Sequence, residues 1–418
     1  MHDLLPRGQR KIGRLLREWI PYNLHYRPTG VHASSRELAS RPGAGAAYFG
    51  VVPGYVSHLA VPDDFYALAS AYDGLHDKPH RQERVPPAFV LELINGRVYA
   101  DNFNSVAIMA GDGKLVGDVS FQYDGCRWDL TPPSANNIFR QRYFREPQEL
   151  PGTVCSLLSG GGAASGNYYH WLVDSLPRLH LVQEAGLLDA VDYFLVYDKS
   201  KQFVLDTMAR LGVGPERLVD LTMNPHVQAR CLLATSPVRG NLTHTPGWAT
   251  DFLRRVLLPA PAVARTFSPY IYISRRDAPG RHILNEDALE ALLREYGFET
   301  HTLTPYSQAE KTALFAQAQV IVSSVGAGLA NIVVSPAGAQ LIELFPQSFV
   351  VADYLELTSR LGIGHQYLVC ATPGRPSQDR TNAQRDDLVV DLAALRPLLD
   401  RALARCSQAP ARAVATQD

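Results

Sequence analysis

The sequence predicts an α/β protein with two Rossmann-like halves facing a cleft, preceded by a β-rich region and a basic amphipathic helix. Three observations carry this reading. Residues 319–345 read as strand, Gly-rich turn, helix, turn and strand, a compact βαβ unit. From about residue 151 strand-like and helix-like stretches alternate, the pattern of a parallel sheet with crossover helices. A second such set starts at Tyr270, after Pro259, Pro261 and a linker that runs to Ser268.

In the first 30 residues Ile12, Leu15, Leu16, Trp19 and Ile20 share one helical face, with Arg7, Arg10, Lys11, Arg14 and Arg17 near or opposite it. Such a helix can lie on an anionic membrane surface, or dock on the protein body or on a second subunit as a homodimer contact. Residues 1–47 comprise this helix and a connection, and 48–150 are β-rich. There, Phe89–Ile94 and Arg97–Ala100 flank Asn95-Gly96 and read as a tight hairpin. Ser105–Ala110 and Lys114–Val119 repeat the pattern around Gly111-Asp112-Gly113.

Residues 151–262 form the first half: a strand at Val154–Ser159, a Gly160-Gly161-Gly162 break and a long helix at about Asn167–Ala185. A strand at Tyr193–Tyr197, a helix at Lys201–Leu211 and a strand at Ala229–Ala234 follow. Residues 268–375 form the second half: strands at Tyr270–Ser274 and Glu299–Leu303, helices at Glu286–Tyr296 and Gln308–Gln317, then the βαβ unit. Val351–Leu361 reads as a helix, Gln366–Cys370 as a strand and 373–386 as a polar loop. Residues 387–408 hold a last helix packed back on the body.

Net charge is −1, so no global field favours nucleic acid. The five cysteines, Cys126, Cys155, Cys231, Cys370 and Cys406, are scattered without a C-x-x-C pair. That fits a reducing compartment and argues against structural zinc. No apolar run approaches the ~18 residues of a membrane span, and the N-terminus lacks a secretory h-region. A cytoplasmic protein is expected.

Three stretches can carry chemistry. Gly326-Ala327-Gly328 lies between a strand and a helix, where backbone can approach a ligand and free N–H groups can bind a diphosphate; a tight turn serving only packing is the alternative. His170 and Asp174 are four apart on one helix face. Either can be a general base, with the other fixing or binding, or they form a structural ladder with Arg178. Arg275, Arg276 and Arg281 follow a strand and suit a diphosphate, or form a solvated basic loop. Asn285 can cap the helix that begins at Glu286. Glu343, the lone charge in Leu341–Phe345, can bind ribose hydroxyls or pair with an arginine.

Together these motifs, N-Y-Y-H-W-L-x-D-x-L-P-R-L at 167–179, S-R-R…R-x-I-x-N-E at 274–286 and G-A-G-L-x-N…I-E-L at 326–344, resemble glycosyltransferase family 61. That group includes plant xylosyl- and arabinosyltransferases, animal O-linked N-acetylglucosaminyltransferases and bacterial capsular polysaccharide proteins. The resemblance spans roughly 150–350. It implies a GT-B fold, an inverting mechanism, a nucleotide-sugar donor, a glycan or lipid-linked glycan acceptor, and no required metal or other cofactor. It places the donor at Arg275, Arg276, Arg281, Asn285, Glu286, Gly326, Ala327, Gly328, Leu329, Asn331 and Glu343. It places acceptor contacts at Asn167, Tyr168 and Arg178, and activation at Asp174 and His170. The chain departs at Val325, where many members carry His, and at Ala330, where they carry Thr; His282 is a candidate substitute for the missing imidazole. One rival reading is a non-catalytic nucleotide-sugar-binding or assembly subunit. An NAD-dependent enzyme is weakened by the missing G-x-G-x-x-G fingerprint, and a hydrolase by the missing G-x-S-x-G elbow.

Overall fold

The computed structural model describes residues 23–71, 80–102, 105–123, 130–159, 166–239, 244–258, 263, 265–374, 377 and 380–408. The amphipathic N-terminal helix, the Gly160–Gly162 break and most of the 259–264 linker lie outside the described residues.

The described residues are α/β, organised on two large sheets, with a separate two-stranded pair of Tyr55–His58 and Gln82–Val85. The second large sheet is parallel and five-stranded. In space its order is Glu299–His301, Tyr270–Ile273, Val320–Ser324, Gln340–Pro346, Gly364–Cys370. Numbered along the chain that is 2-1-3-4-5, so the winding reverses between Tyr270–Ile273 and Val320–Ser324. Ligands of open α/β sheets bind at the carboxyl ends of strands beside such a reversal. Ser274-Arg275-Arg276 and Val325-Gly326 leave the sheet there.

The first sheet has eleven strands and is mixed. Gln148–Ser156 pairs in parallel with Tyr193–Val196 on one side and with His226–Thr235 on the other. Its winding reverses between Gln148–Ser156 and His226–Thr235, so residues 157–159 and 236–239 leave at the equivalent place.

The Asn95-Gly96 hairpin is corrected. Ala88–Ile94 and Arg97–Asn102 do not pair with each other; both run antiparallel to His226–Thr235, from Thr235↔Val90 through Cys231↔Ile94 to His226↔Tyr99, without a register shift. Asn95 adopts a left-handed φ of 54°, and its N–H donates to the Arg230 carbonyl at 2.9 Å. The dipeptide is a kink in one long strand. A Cβ on Gly96 would sit 2.7 Å from Leu232 Cβ, so glycine is needed for close approach to the neighbouring strand. Arg97–Asn102 instead pairs antiparallel with Ser105–Met109. Strands of residues 88–109 and of 148–235 thus form one sheet.

The helix expected over 167–185 is broken. Tyr168–His170 is α-helical, Trp171–Ser175 is a π turn closed by Leu176 N–H to Trp171 C=O at 2.9 Å, and Arg178–Glu184 is α-helical. Pro177 lacks an N–H and cannot continue a regular ladder. A helix at Gly247–Leu257 was missed, although Ala249, Phe252, Leu253 and Leu257 fall on one buried face. Its Arg254 donates to the carbonyls of Val333 and Ser335, closing the end of the crossing helix of the βαβ unit.

A single apolar cluster runs through the seam between the sheets. It includes Cys155, Leu157, Leu172 and Leu253 from one half and Ile271, Ile321, Leu341 and Phe345 from the other. Burial of this kind contributes about 25 cal/mol per Å², so the halves are held by core as well as by polar contacts. Helix Asp63–Ala71 reaches across as well: Phe65 packs edge-on to Phe345 and Tyr367, and the Tyr367 hydroxyl donates to Asp64 at 2.6 Å.

Candidate active site

His170 and Asp174 come together. His170 Nδ1 lies 2.6 Å from Asp174 Oδ2. Asn167 starts the segment by accepting the Tyr169 N–H at 2.9 Å, which places it as a helix cap. The π turn then carries the chain from His170 to Asp174, a wide turn that is frequent at functional sites. The Asp174 carboxylate also faces an arginine that sequence reasoning missed. Arg239 Nε donates to Oδ1 at 2.7 Å and Nη2 to Oδ2 at 3.0 Å, a two-pronged pair. Arg239 follows a strand with no recognisable motif, and its only signal was position after a winding reversal.

Burial by itself would push the Asp174 carboxyl up. Arg239, with help from the His170 hydrogen bond, outweighs it and holds Asp174 well below the usual carboxylate range. Asp174 is thus a firmly ionised group with both oxygens engaged, a poor proton acceptor. His170 spends Nδ1 on it, leaving Nε2 to take a proton.

Arg178 is turned inward. Nε donates to the Asp174 backbone carbonyl at 3.0 Å, and Nη1 lies 3.1 Å from Thr235 Oγ1. It therefore braces the helix on the strand end and does not pair with the Asp174 carboxylate. Tyr168 is also committed. Its hydroxyl sits 2.8 Å from Gln308 Oε1 and 2.6 Å from Asn331 Oδ1, tying one half to the other. Asn331 donates to the Gly328 carbonyl at 2.8 Å and so shapes the Gly turn from behind.

Across the seam the three loop arginines separate. Arg276, expected at the phosphates, is neutralised: it reaches Glu286 at 2.9 Å, Asp287 at 2.5 Å and Glu290 at 3.5 Å. Glu286 is buried and also accepts from Tyr272 (2.6 Å) and Ser274 (2.7 Å), so it anchors the loop. Asn285 is no side-chain cap; its amide exchanges two hydrogen bonds with the Val390 backbone, at 2.8 and 2.9 Å.

Arg275 and Arg281 differ. Among the described residues neither has a carboxylate within ion-pair distance. Arg275 donates through Nε and Nη2 to the Gly280 carbonyl at 3.2 and 3.0 Å. Arg281 donates to the Gln384 carbonyl and leaves Nε buried without a partner. Burial, reinforced by the neighbouring Arg275 charge, lowers the Arg281 guanidinium to about 9. Two partly buried, mutually repelling cations are costly unless an anion joins them. The Arg275 guanidinium lies where a Cβ on Gly326 would be, which explains that glycine; Gly326 has an extended φ of 177° and no strain. Gly328 similarly makes room for Leu303. Ala327–Val334 is a 3₁₀ helix whose first N–H groups, like those of any helix start, lack an internal acceptor. Leu329 is buried in the seam core.

Glu343 pairs with a histidine and with no arginine among the described residues. It is fully buried, pairs through Oε2 with His365 Nε2 at 3.0 Å, and leaves Oε1 unpartnered. Val325 is buried in the seam core. His282 is held by Asp387 (3.1 Å) and the Ala278 carbonyl (2.8 Å), so it does not replace an imidazole at 325.

The dyad and the Gly turn are joined. Tyr354 donates to the Gly326 carbonyl at 2.7 Å and packs edge-on to Tyr169, which packs edge-on to His170. A cavity of about 640 Å³ lies nearby, against helices Gln202–Ala209 and Gly247–Leu257. Gln308 lines it, but His170 and Asp174 do not. Among the described residues no group of three or more His, Cys, Asp or Glu is arranged to hold a metal, and no helix is long and apolar enough to cross a membrane.

A comparison with curated proteins found no match. The family model described as glycosyltransferase 61 matches residues 168–342. Over that span, which holds the dyad, Arg239, the arginine loop and the Gly326 turn, the chain resembles glycosyltransferase family 61, and the match supports a glycosyltransferase.

Proposed function

We propose that the protein is an inverting, metal-independent glycosyltransferase of GT-B type that moves a sugar from a nucleotide donor to a glycan acceptor, free or lipid-linked. It works in polysaccharide biosynthesis in the cytoplasm, peripherally at the inner membrane face. The observation that carries this reading is the pair Arg275 and Arg281, two neighbouring cations without a counter-carboxylate among the described residues, Arg275 lying against Gly326 at the sheet reversal. A diphosphate supplies the missing charge, and guanidinium forks match its oxygens.

The chemistry is a single displacement. The acceptor hydroxyl loses its proton to His170 Nε2 as its oxygen bonds to the anomeric carbon. The bond from that carbon to the diphosphate oxygen breaks on the opposite face, and the electron pair leaves with the nucleoside diphosphate. Arg275, Arg281 and the N–H groups after Gly326 stabilise the departing charge. Asp174 orients the imidazole and balances the imidazolium.

A second reading, a nucleotide-sugar-binding assembly subunit, draws on buried Val325 where many relatives carry His. Titration calorimetry with nucleoside diphosphates in EDTA, followed by transfer assays with the matching sugar nucleotides, separates the two. Selective metal-independent binding with turnover is expected. Binding without turnover onto any glycan would favour the assembly role, and no binding at all would remove both.

A further inference from the structure

The residue that fixes Asp174 also reaches the other half of the molecule. Arg239 uses Nε and Nη2 on Asp174. Its third nitrogen, Nη1, lies 3.0 Å from the Tyr169 hydroxyl and 3.4 Å from Asp353 Oδ1. Tyr169 donates to the same Asp353 oxygen at 2.9 Å, and the Arg239 guanidinium sits 5.2 Å from the Tyr169 ring centre. Asp353 opens the helix Asp353–Leu361 of the second half. The next residue, Tyr354, holds the Gly326 carbonyl. One helix start therefore grips the Gly turn with one side chain and Arg239 with its neighbour.

We propose that Arg239 and Asp353 form a latch between the halves that positions the His170–Asp174 dyad, so the proton acceptor is assembled only when the half carrying the Gly326 turn is seated. The mechanism it serves rests on the reading above. Arg239 is a positioning residue, acting through Asp174 without touching substrate. Its side chain is 9% exposed and Asp174 is 13% exposed, while Asp353 is 33% exposed. A cation buried to this degree is stable only when its neighbours neutralise it. Asp174 alone does so from within one half; Asp353 does so only when the halves meet. Withdrawing Asp353 leaves Arg239 with Asp174 and the Tyr169 hydroxyl alone, so the helix start that holds the Gly326 turn no longer fixes the register of the dyad. Among the described residues the charged and titratable groups facing the dyad and its arginine are Arg239, Asp353, Tyr169, Tyr123 and Glu356, with Arg178 on the backbone behind.

The test uses the full chain and two readouts. The first is the titration of the His170 imidazole by NMR in the wild type, Arg239→Gln and Asp353→Asn. The second is kcat and KM with the donor identified by calorimetry. In Arg239→Gln, Asp174 loses its arginine and grips the imidazolium more tightly, so His170 titrates at higher pH and the acid limb of kcat/KM moves with it. Asp353→Asn lowers kcat by about tenfold or more while the nucleoside diphosphate Kd stays within about twofold, and Asp353→Glu recovers most of the loss. An unchanged His170 titration in Arg239→Gln, or wild-type kcat in Asp353→Asn, overturns the latch. Absence of transfer by the wild type with every donor would refute the enzyme reading instead, and the latch would then stand or fall on whether Asp353→Asn, like Arg239→Gln, displaces the His170 titration from that of the wild type.

Discussion

Asp174, largely shielded, and Glu343, fully buried, are both carboxyls beside a histidine, one in each half, and they end in opposite states. Asp174 receives three N–H groups, two of them from a guanidinium fork, and is held well below the ordinary carboxylate range. Glu343 meets only His365. Burial, with the Asp353 charge adding and Arg281 opposing, pushes it well above that range. Burial also drives His365 down to about 3, so a neutral imidazole accepts from a protonated carboxyl. A buried carboxyl is ionised when a cation is fixed against it, and an uncharged imidazole does not suffice. One of the pair carries a fixed charge, and the other keeps its proton.

The largest effect that can break this comparison is at His170. His170→Ala should lower kcat by about 10²- to 10⁴-fold, and added imidazole should restore part of it. If imidazole rescues nothing while Asp174→Asn alone abolishes turnover, Asp174 is the proton acceptor and the comparison inverts. Next in size is Arg281→Gln. Loss of one charge-assisted contact of about 1.5–3 kcal/mol should weaken nucleoside diphosphate binding by roughly 10- to 150-fold, whereas Arg276→Gln should leave the Kd within about twofold. Calorimetry with both variants gives the answer, and equal losses would mean that the Arg276 carboxylates release it when donor arrives.

The smallest effect sharpens the Glu343 side. Its folded pKa lies above the unfolded value near 4.3, so the native state keeps a proton that the unfolded chain gives up. Stability from this group is full below about pH 4.3 and declines as pH rises toward the folded value. Asp174 runs the other way, stabilising above about pH 3.9 and losing that contribution as pH falls below it. Glu343→Gln should therefore gain Tm relative to the wild type between pH 5 and 8. A pH-independent difference would show that Glu343 is ionised in the fold.

Much of the second half was legible because its strands are short apolar runs bounded by turns, a pattern that burial on both faces imposes. The turn at Gly326 and the His170–Asp174 pair were legible for the same local reason: neighbours in sequence are neighbours in space. What escaped was set by distant partners. Arg276 is paired with Glu286, Asp287 and Glu290 on the helix just beyond it, whereas Arg281 pairs with no carboxylate among the described residues. Arg239 reaches Asp174 from 65 residues away. Asn95-Gly96 has the composition of a hairpin turn, yet a ten-residue strand 130 positions later holds both flanks in line.

That last arrangement has a consequence for how the chain is made. Residues 88–102 can pair with 46–52 and 105–109 soon after synthesis, but their other edge waits for His226–Thr235. At about 5–20 residues per second the wait is on the order of 10 s, during which an apolar strand edge stands open on the ribosome. The nascent chain is thus most exposed to mispairing before any residue of the second half exists, and a helper that binds extended apolar segments would act in that interval.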